Sequence, residues 1–288
     1  MSQKKKSDVK NVVWLGVVSL LTDISSEMLF PIIPIFLTTV LKANMAVVGF
    51  IEGIAEATSA FLKLIAGIAA DRWKNNKLLT IVGYGSSTVA KPFLAIATIW
   101  QHVLAVRIID RIGKGIRTTP RDALLAGSVS EKERGKYFGL HRTMDTIGAV
   151  CGVLITTGLL LVWGAAEASF RKIFWISFIP AALAVIILFL FVHDVKTKTE
   201  QKKQKTFNLF KAWKKLNKNL KVFYGIMVFF NLASFSYAFF ILRAQNVGFA
   251  IALIPILYLV YNIFYAVTAY PAGKISDYLG RNIVLAIG

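Results

Sequence analysis

The chain has 288 residues, of which 56% are hydrophobic, and its mean hydropathy is +0.61. Apolar runs of roughly 20 residues recur along the whole chain, which is typical of transmembrane helices and excludes an ordinary soluble domain. The net charge is +19, but the basic residues lie between the apolar runs and therefore do not indicate nucleic-acid binding. We predict an all-α integral membrane protein whose partner is the lipid bilayer, with no nucleic acid.

The predicted elements, in chain order, are membrane spans. Eight are predicted at residues 12–40, 47–70, 78–100, 103–125, 137–162, 173–192, 222–242 and 249–272, and a ninth begins near Asn282. The first run is too long for a signal-peptide core, so we expect it to remain as a span. Three parts follow: an N-terminal six-helix bundle over residues 1–193, a linker over 194–221, and an incomplete C-terminal bundle over 222–288 with helices seven, eight and the start of nine.

Basic residues between the spans set the predicted orientation. The N-terminus and the loops after spans two and four carry Lys4, Lys5, Lys6, Arg72, Lys74, Lys77, Arg117, Arg121, Lys132, Arg134 and Lys136. The opposite loops carry only Lys42, Arg171, Lys172 and Arg243. By the positive-inside rule the N-terminus is cytoplasmic, and the chain is predicted to be a multi-pass protein of the inner (plasma) membrane.

The linker after span six is the most basic part of the chain, with ten lysines from Lys196 to Lys221. Its large apolar residues recur near helical spacing, at Phe207, Phe210, Trp213, Leu216 and Leu220. This pattern predicts a cytoplasmic amphipathic helix at the inner membrane surface. A solvated linker helix is the alternative.

The fourth span is unusual because it is charged. Arg107, Asp110, Arg111 and Lys114 fall at i, i+3, i+4 and i+7, so a helix places them in one stripe. Such a stripe is costly in lipid and persists when it faces a protein interior or a water-filled path. It predicts that the chain moves something polar or charged across the membrane. Arg107 is expected to pair with Asp110 or with a carboxylate of span one.

Two pairs of acidic residues lie on the first two spans. Asp23 and Glu27 are four residues apart in span one, and Glu52 and Glu56 are four apart in span two. A carboxylate in a low-dielectric interior can bind and release protons near neutral pH, so the pairs predict a proton or cation site. The alternative is structural, because the spans also hold basic residues that these acids would neutralise: Lys63, Lys91, Arg107, Arg111, Lys114 and Arg142.

Two further spans carry candidate functional groups. Span five contains His141, Arg142 and Asp145, which predict a cytoplasmic gate network or, alternatively, a substrate contact. Span one contains Pro31 and Pro34, which free backbone carbonyls and predict a bend in its outer half. Span eight carries a helical stripe that would line a cavity or serve in packing: Tyr258, Tyr261, Asn262 and Tyr265.

A short repeat relates the two parts of the chain. Residues 67–72 read GIAADR after span two, and residues 273–278 read GKISDY after span eight. Both place a glycine four residues before an aspartate at the cytoplasmic end of a span. The offset of 206 residues predicts two parallel repeats of six spans joined by a linker.

The ordered motifs resemble those of major facilitator superfamily (MFS) transporters. The family's loop motif, G-x-x-x-D-R-x-G-R-[RK], is matched in part by Gly67, Asp71, Arg72 and Lys77, and its second copy by Gly273, Asp277, Gly280 and Arg281. The fourth-helix motif, R-x-x-x-G-x-G-x-G, is similar to residues 107–115, with Arg111 at the first glycine. The antiporter motif of helix five, G-x-x-x-G-P, is similar to residues 148–153, with Val153 in place of proline.

The resemblance implies the MFS fold and alternating access between two six-helix halves. By resemblance, Asp71 locks the cytoplasmic side through charge pairing, and Gly67 lets two helices approach closely. The other residues of the gating loops are Arg72, Gly273, Asp277 and Arg281. A simple capped turn is the alternative for the motif around Asp71. Family members usually have twelve helices, so we expect a chain truncated after its eighth helix. The resemblance favours proton-coupled efflux of a small organic molecule by a monomeric antiporter.

Alternatives of two kinds remain open from the sequence. Other cargoes are a metal ion or siderophore-type chelate, for which the four acids of spans one and two would be hard ligands, or an anion taken up past the positive charges of span four. A truncated membrane protein that does not transport is the alternative of another class. An enzyme is not expected, because nucleotide loops, nucleophile motifs and metal-hydrolase spacings are lacking, and no cofactor or resident metal is predicted.

Overall fold

A computed structural model describes residues 8–72, 75–195, 214, 216–232 and 236–279. The helices of the first part are α1 Val9–Leu29, α2 Ile33–Thr39, α3 Met45–Arg72, α4 Asn76–Ala90, α5 Pro92–Ala95, α6 Trp100–Ser128, α7 Arg134–Trp163 and α8 Glu167–Phe191. Those of the second part are α9 Lys218–Leu232, α10 Tyr237–Asn246 and α11 Ile254–Leu279. Short 3₁₀ turns, Glu131–Glu133 and Ile251–Leu253, precede α7 and α11.

The predicted first and third spans are each interrupted; the first interruption lies at the predicted proline bend, whereas the third span was expected to be one continuous helix. The first divides into α1 and α2 around Pro31, where a bend is predicted. The third divides into α4 and α5 at Lys91, directly before Pro92. Proline lacks a backbone N–H and its ring clashes with the preceding turn, so each helix stops just before it.

Four stretches of the described residues are long and apolar enough to cross a membrane by length and composition: Val9–Thr39, Met45–Leu62, Arg134–Trp163 and Glu167–Phe191. The 29-residue helix α6 is as long but carries the charged stripe. The predicted ninth span, and residues 196–213 and 215 of the predicted amphipathic linker, lie outside the described residues. The seventh span corresponds to α9 and α10, beginning at Lys218 rather than Val222.

Small residues let the helices around the charged stripe approach closely. A Cβ atom on Gly148 of α7 would collide with the carbonyl oxygen of Leu20 in α1, and one on Gly152 would collide with that of Ile24. The same holds where α6 crosses α4, because a Cβ on Gly113 would meet Ser87. The glycines that match the fifth-helix motif therefore set the distance between α1 and α7.

We expect Gly148→Val to destabilise the protein by about 1–3 kcal/mol, because its side chain would push α7 away from the backbone of α1. Gly158→Val is the matched control, since Gly158 lies on the same helix and a Cβ added to it would have no neighbouring atom within 4 Å. Thermal unfolding in detergent measures both variants. Equal shifts in melting temperature would contradict a packing role for Gly148.

Two buried apolar clusters lie at opposite ends of the bundle. The first, at the end that contains α2 and α5, joins α1–α8 to α10 and α11 through residues that include Ile33, Phe36, Ile51, Ile241 and Ile254. The second contains residues of the first part, including Leu15, Tyr84, Leu124, Tyr137 and Leu188. Within the described chain, buried apolar packing therefore connects the two parts at the α2 end, which we call the closed end.

Candidate functional site

A cavity of about 220 Å³ lies between the two parts of the chain, below the closed end. Helices α1, α3 and α6 and the turn after α4 supply its polar groups, and α10 and α11 each add a tyrosine. Its charged and polar lining residues are Asp23, Ser26, Glu27, Glu56, Lys91, Arg107, Asp110, Arg111, Lys114, Arg117, Tyr237 and Tyr258. We call this space the polar cavity.

Most of the predicted site residues whose contacts the structure describes meet in the polar cavity. Those that line it are Asp23, Glu27, Glu56, Arg107, Asp110, Arg111, Lys114 and Tyr258. Glu52, Arg142, Asp145, Tyr261 and Asn262 lie outside its lining. The contacts of Gly67, Asp71, Arg72, Tyr265, Gly273 and Asp277, and all of Arg281, lie outside the described structure, so the predictions for them stay predictions.

Arg107 and Glu52 form the tightest ion pair of the site. The Nη2 atom of Arg107 donates to both carboxylate oxygens of Glu52, at 2.7 and 2.8 Å, and both side chains are 6% exposed. Ser236, at the start of α10, lies 3.5 Å from the Oε2 atom of Glu52. The expectation that Arg107 pairs with Asp110 or with span one is therefore wrong: its partner is on α3, because α6 packs against α3.

One turn further along α6, Arg111 has a looser partner. Its Nη2 atom lies 3.7 Å from the Oε1 atom of Glu56, whose side chain is 68% exposed. Water can therefore reach this pair, and its contribution to stability is small. Lys114 follows on the same face, is exposed to the cavity and forms no ion pair within 4.0 Å with a described side chain.

The two acids of α1 face the polar cavity without direct charge partners. Neither Asp23 nor Glu27 forms an ion pair within 4.0 Å with any side chain that the structure describes. The charged and titratable groups in electrostatic range of one or both are Lys91, Arg111, Lys114, Arg117, Arg121, Asp145 and Tyr258. Glu27 lies within hydrogen-bonding reach of the Tyr258 hydroxyl, and both carboxylates line the cavity, where water, protons or a ligand can reach them.

Two basic residues of the cavity, Lys91 and Arg117, were not among the predicted site residues. Lys91 is buried and donates hydrogen bonds to the hydroxyls of Ser25 and Ser26. Arg117 is buried, donates to Ser87 Oγ at 2.8 Å and lies 4.5 Å from the ring centre of Tyr84. The assignment of Arg117 and Arg121 to a loop is wrong, because α6 continues to Ser128. The stripe itself was the available signal, since Arg117 continues it three residues after Lys114.

The predicted group on α7 forms a separate cluster. His141 Nδ1 lies 3.6 Å from Asp145 Oδ2, and both residues are buried. The Arg142 side chain is 84% exposed, and only a 3.9 Å contact links it to Asp145. His141 Nε2 and Asp145 Oδ1 lack hydrogen-bond partners among the described atoms. Asp145 is outside the lining of the polar cavity but lies in electrostatic range of Asp23.

An apolar pocket of about 240 Å³ adjoins the polar cavity and shares Tyr237 and Tyr258 with it. Tyr261 also lines this pocket, and its hydroxyl lies 3.0 Å from that of Tyr237. Asn262 donates instead to the carbonyl oxygen of Tyr258 at 2.8 Å within the same helix. Of the predicted α11 stripe, Tyr258 and Tyr261 thus face cavities, whereas Asn262 is engaged with its own helix.

The described residues contain no group of three or more His, Cys, Asp or Glu side chains placed to hold a metal ion. The two acids of α1 stay apart from those of α3, since Glu52 is bound to Arg107 and Glu56 faces Arg111. The four acids named for a metal therefore do not converge on one point in this part of the chain.

Comparison with known proteins gives a consistent result. The family model described as Major Facilitator Superfamily matches residues 15–288. An MFS-type transporter of Methanocaldococcus jannaschii is 37% identical over 97% of this chain and 69% of its own length. Multidrug resistance protein MdtH of Photorhabdus laumondii is 29% identical over 57% of this chain and 42% of its own length.

Among solved structures, a bacterial homolog of the human lysosomal transporter Spinster, in an inward-facing and unoccupied conformation, superposes with a TM-score of 0.73. It is 18% identical to this chain, so the likeness concerns the fold. The alignment covers 94% of this chain and 63% of that protein. The chain thus spans about two thirds of the length of the Methanocaldococcus jannaschii relative and of the Spinster homolog.

Proposed function

The chain belongs to the Major Facilitator Superfamily, whose members are multi-pass membrane transporters and not enzymes. On that premise we propose that it carries a small organic molecule across the inner membrane in exchange for protons. It would work by alternating access, with residues 1–193 and 222–288 belonging to two halves that rock about the polar cavity. Residues 194–221 would link them on the cytoplasmic side. A monomer suffices, because one chain supplies the cavity walls.

The observation that carries this proposal is the polar cavity and its position. It lies between the two parts of the chain, next to the apolar cluster of the closed end, which in a membrane would close it off from one side. With a cytoplasmic N-terminus, the closed end is the outer one, which supports an inward-facing state. A solute that enters from the cytoplasm would meet the charged groups of α1 and α6 near the middle of the membrane.

Proton coupling is proposed from the two carboxylates of α1. Asp23 and Glu27 line the cavity and have no ion-pair partner within 4.0 Å among the described side chains. Glu52 is a weaker candidate, because Arg107 already holds its charge. The loop residues around Asp71 remain the proposed cytoplasmic gate by family resemblance.

Export is the proposed direction, and the name of the MdtH relative, a multidrug resistance protein, supports it. Uptake of an anion is the second candidate, and the basic residues Lys91, Lys114 and Arg117 in the cavity favour it. Export of a metal ion has less support, since the acids of α1 and α3 do not converge in the described structure.

The test is solute flux with proton movement in the same vesicles. Solutes that raise the melting temperature of the purified chain are selected first, because a ligand that binds the folded state stabilises it. Proteoliposomes with a pH-sensitive dye inside then receive each solute, and protein-free liposomes are the control. We expect solute and protons to move in opposite directions.

Movement in the same direction would favour anion uptake and overturn the exchange. Binding without any solute flux would overturn the transport proposal and leave a membrane protein that binds without transporting.

A further inference from the structure

Two of the helices that line the polar cavity carry mainly charges of opposite sign. Helix α1 contributes Asp23 and Glu27, whereas α6 contributes Arg111, Lys114 and Arg117 around a single acid, Asp110. We infer that the substrate is a small zwitterion, whose ammonium group binds at the α1 acids and whose carboxylate binds at Lys114. The inference rests on the proposed function and specifies the class of molecule that the same site takes.

The charge balance of the cavity supports a dipolar occupant. Two basic groups are already compensated by acids of α3, since Arg107 pairs with Glu52 and Arg111 with Glu56. Three acids and three bases then remain along the cavity: Asp23, Glu27 and Asp110, and Lys91, Lys114 and Arg117. Because the remaining charges cancel, an ion of one sign would add net charge to a partly desolvated space, which is costly. A zwitterion adds none.

Of the three remaining basic residues, Lys91 and Arg117 already donate hydrogen bonds to protein hydroxyls, whereas Lys114 is available to a ligand. Lys91 donates to Ser25 and Ser26, and Arg117 donates to Ser87. Lys114 instead is exposed to the cavity and has no ion-pair partner within 4.0 Å among the described side chains. A lysine ammonium with free donors is suited to a carboxylate. Lys114 is therefore the anchor for the negative end of the substrate.

The opposite anchor is the acid pair of α1. Glu27 faces Tyr258 of α11, and Ser26 lies beside it on the cavity wall. A carboxylate with a hydroxyl nearby can accept one hydrogen bond of an ammonium group while the hydroxyl accepts another. The cavity of about 220 Å³ is smaller than the roughly 300–1,000 Å³ of drug-sized ligand pockets. The substrate is accordingly of the size of a free amino acid.

This arrangement also explains how exchange with protons would arise. A proton on Glu27 or Asp23 removes the negative charge that holds the substrate's ammonium group, so the proton and the substrate compete for the same carboxylates. The groups that face these two acids and would tune the competition are Lys91, Arg111, Lys114, Arg117, Arg121, Asp145 and Tyr258. Lower pH should therefore weaken binding of the zwitterion.

The experiment uses a series of zwitterions in which the distance between the ammonium and carboxylate groups increases stepwise. Glycine, β-alanine, 4-aminobutyrate, 5-aminopentanoate and 6-aminohexanoate are titrated into the purified full chain in detergent, beside the carboxylate and the amine of each chain length. Calorimetry and melting temperature report binding. We expect one zwitterion of the series to bind at least about tenfold more tightly than its matched carboxylate or amine, a difference of about 1.4 kcal/mol.

Two variants then test which residue binds the carboxylate and which binds the ammonium group of the zwitterion. Lys114→Gln should reduce affinity for the zwitterion to about that of the matched amine, and Glu27→Gln should reduce it to about that of the matched carboxylate and remove most of its pH dependence. Lys10→Gln and Glu131→Gln change exposed residues away from the cavity and should leave affinity unchanged.

The inference is overturned if no zwitterion of the series binds. It is equally overturned if a carboxylate binds as tightly as its zwitterion and Glu27→Gln has no effect, which would indicate an anion site. Binding is measured in detergent, without a pH or solute gradient. The zwitterion proposal can therefore fail independently of the transport proposal. If a zwitterion binds but does not move across the vesicle membrane, only the transport proposal is overturned. If a singly charged solute is transported instead, only the proposal of a zwitterionic substrate is overturned.

Discussion

Arg107→Ala is expected to lower the free energy of unfolding by about 3–5 kcal/mol, because it leaves the charge of Glu52 buried without a partner. The Glu52 side chain is 6% exposed and receives both of its short hydrogen bonds from Arg107. Water cannot replace the guanidinium there without opening the contact between α3 and α6. The loss also removes the cation above the ring of Phe30, 6.0 Å away.

Thermal unfolding of purified variants in detergent measures this effect. Arg111→Ala is the matched control one turn along α6, since its partner Glu56 is largely exposed and the pair contributes only about 0–1 kcal/mol. If Arg107→Ala does not yield folded protein, the double variant Arg107→Met with Glu52→Leu decides the matter. It removes both charges and should recover most of the stability. Equal effects of Arg107→Ala and Arg111→Ala would contradict the assignment.

The family and the fold could be predicted from the sequence, and both predictions are confirmed. Long apolar runs identify helices by composition, and the order of partly matched motifs identifies the family even where single positions differ. The interruptions at Pro31 and Pro92 follow from the missing N–H of proline, although only the first was predicted. The limits of the helices were less predictable, because the apolar runs blend into polar ends, as at Lys218.

The charged stripe of α6 was visible in the sequence, but its pairing was not. Spacing along one helix says which residues share a face, whereas the partner of Arg107 depends on which neighbouring helix approaches that face, and this is a tertiary property. Arg117 was assigned to a cytoplasmic loop because the positive-inside rule places basic residues in such loops. Its positive charge is instead buried against Ser87 and Tyr84. Lys91 lacked a periodic signal altogether.

Glu27→Gln is expected to reduce transport driven by a pH gradient at least about tenfold, while solute counterflow at saturating concentration stays within about twofold of the unaltered protein. The amide keeps the size of the carboxyl group and still accepts a hydrogen bond, so the loaded protein can change conformation. It cannot carry a proton, however, so a pH gradient no longer drives net movement. Weaker binding of the solute would raise its half-saturating concentration without lowering the counterflow maximum.

Both assays use the same proteoliposomes and the solute that most raises the melting temperature of the unaltered chain. Glu131→Gln serves as the control, because this acid is exposed before α7 and its ion pair with Arg134 spans 3.9 Å at the surface. Loss of counterflow together with gradient-driven flux would mean that Glu27 is needed for the conformational change itself. Retention of both would remove Glu27 from the proton path and leave Asp23, four residues earlier on the same face of α1, as the carboxylate to test.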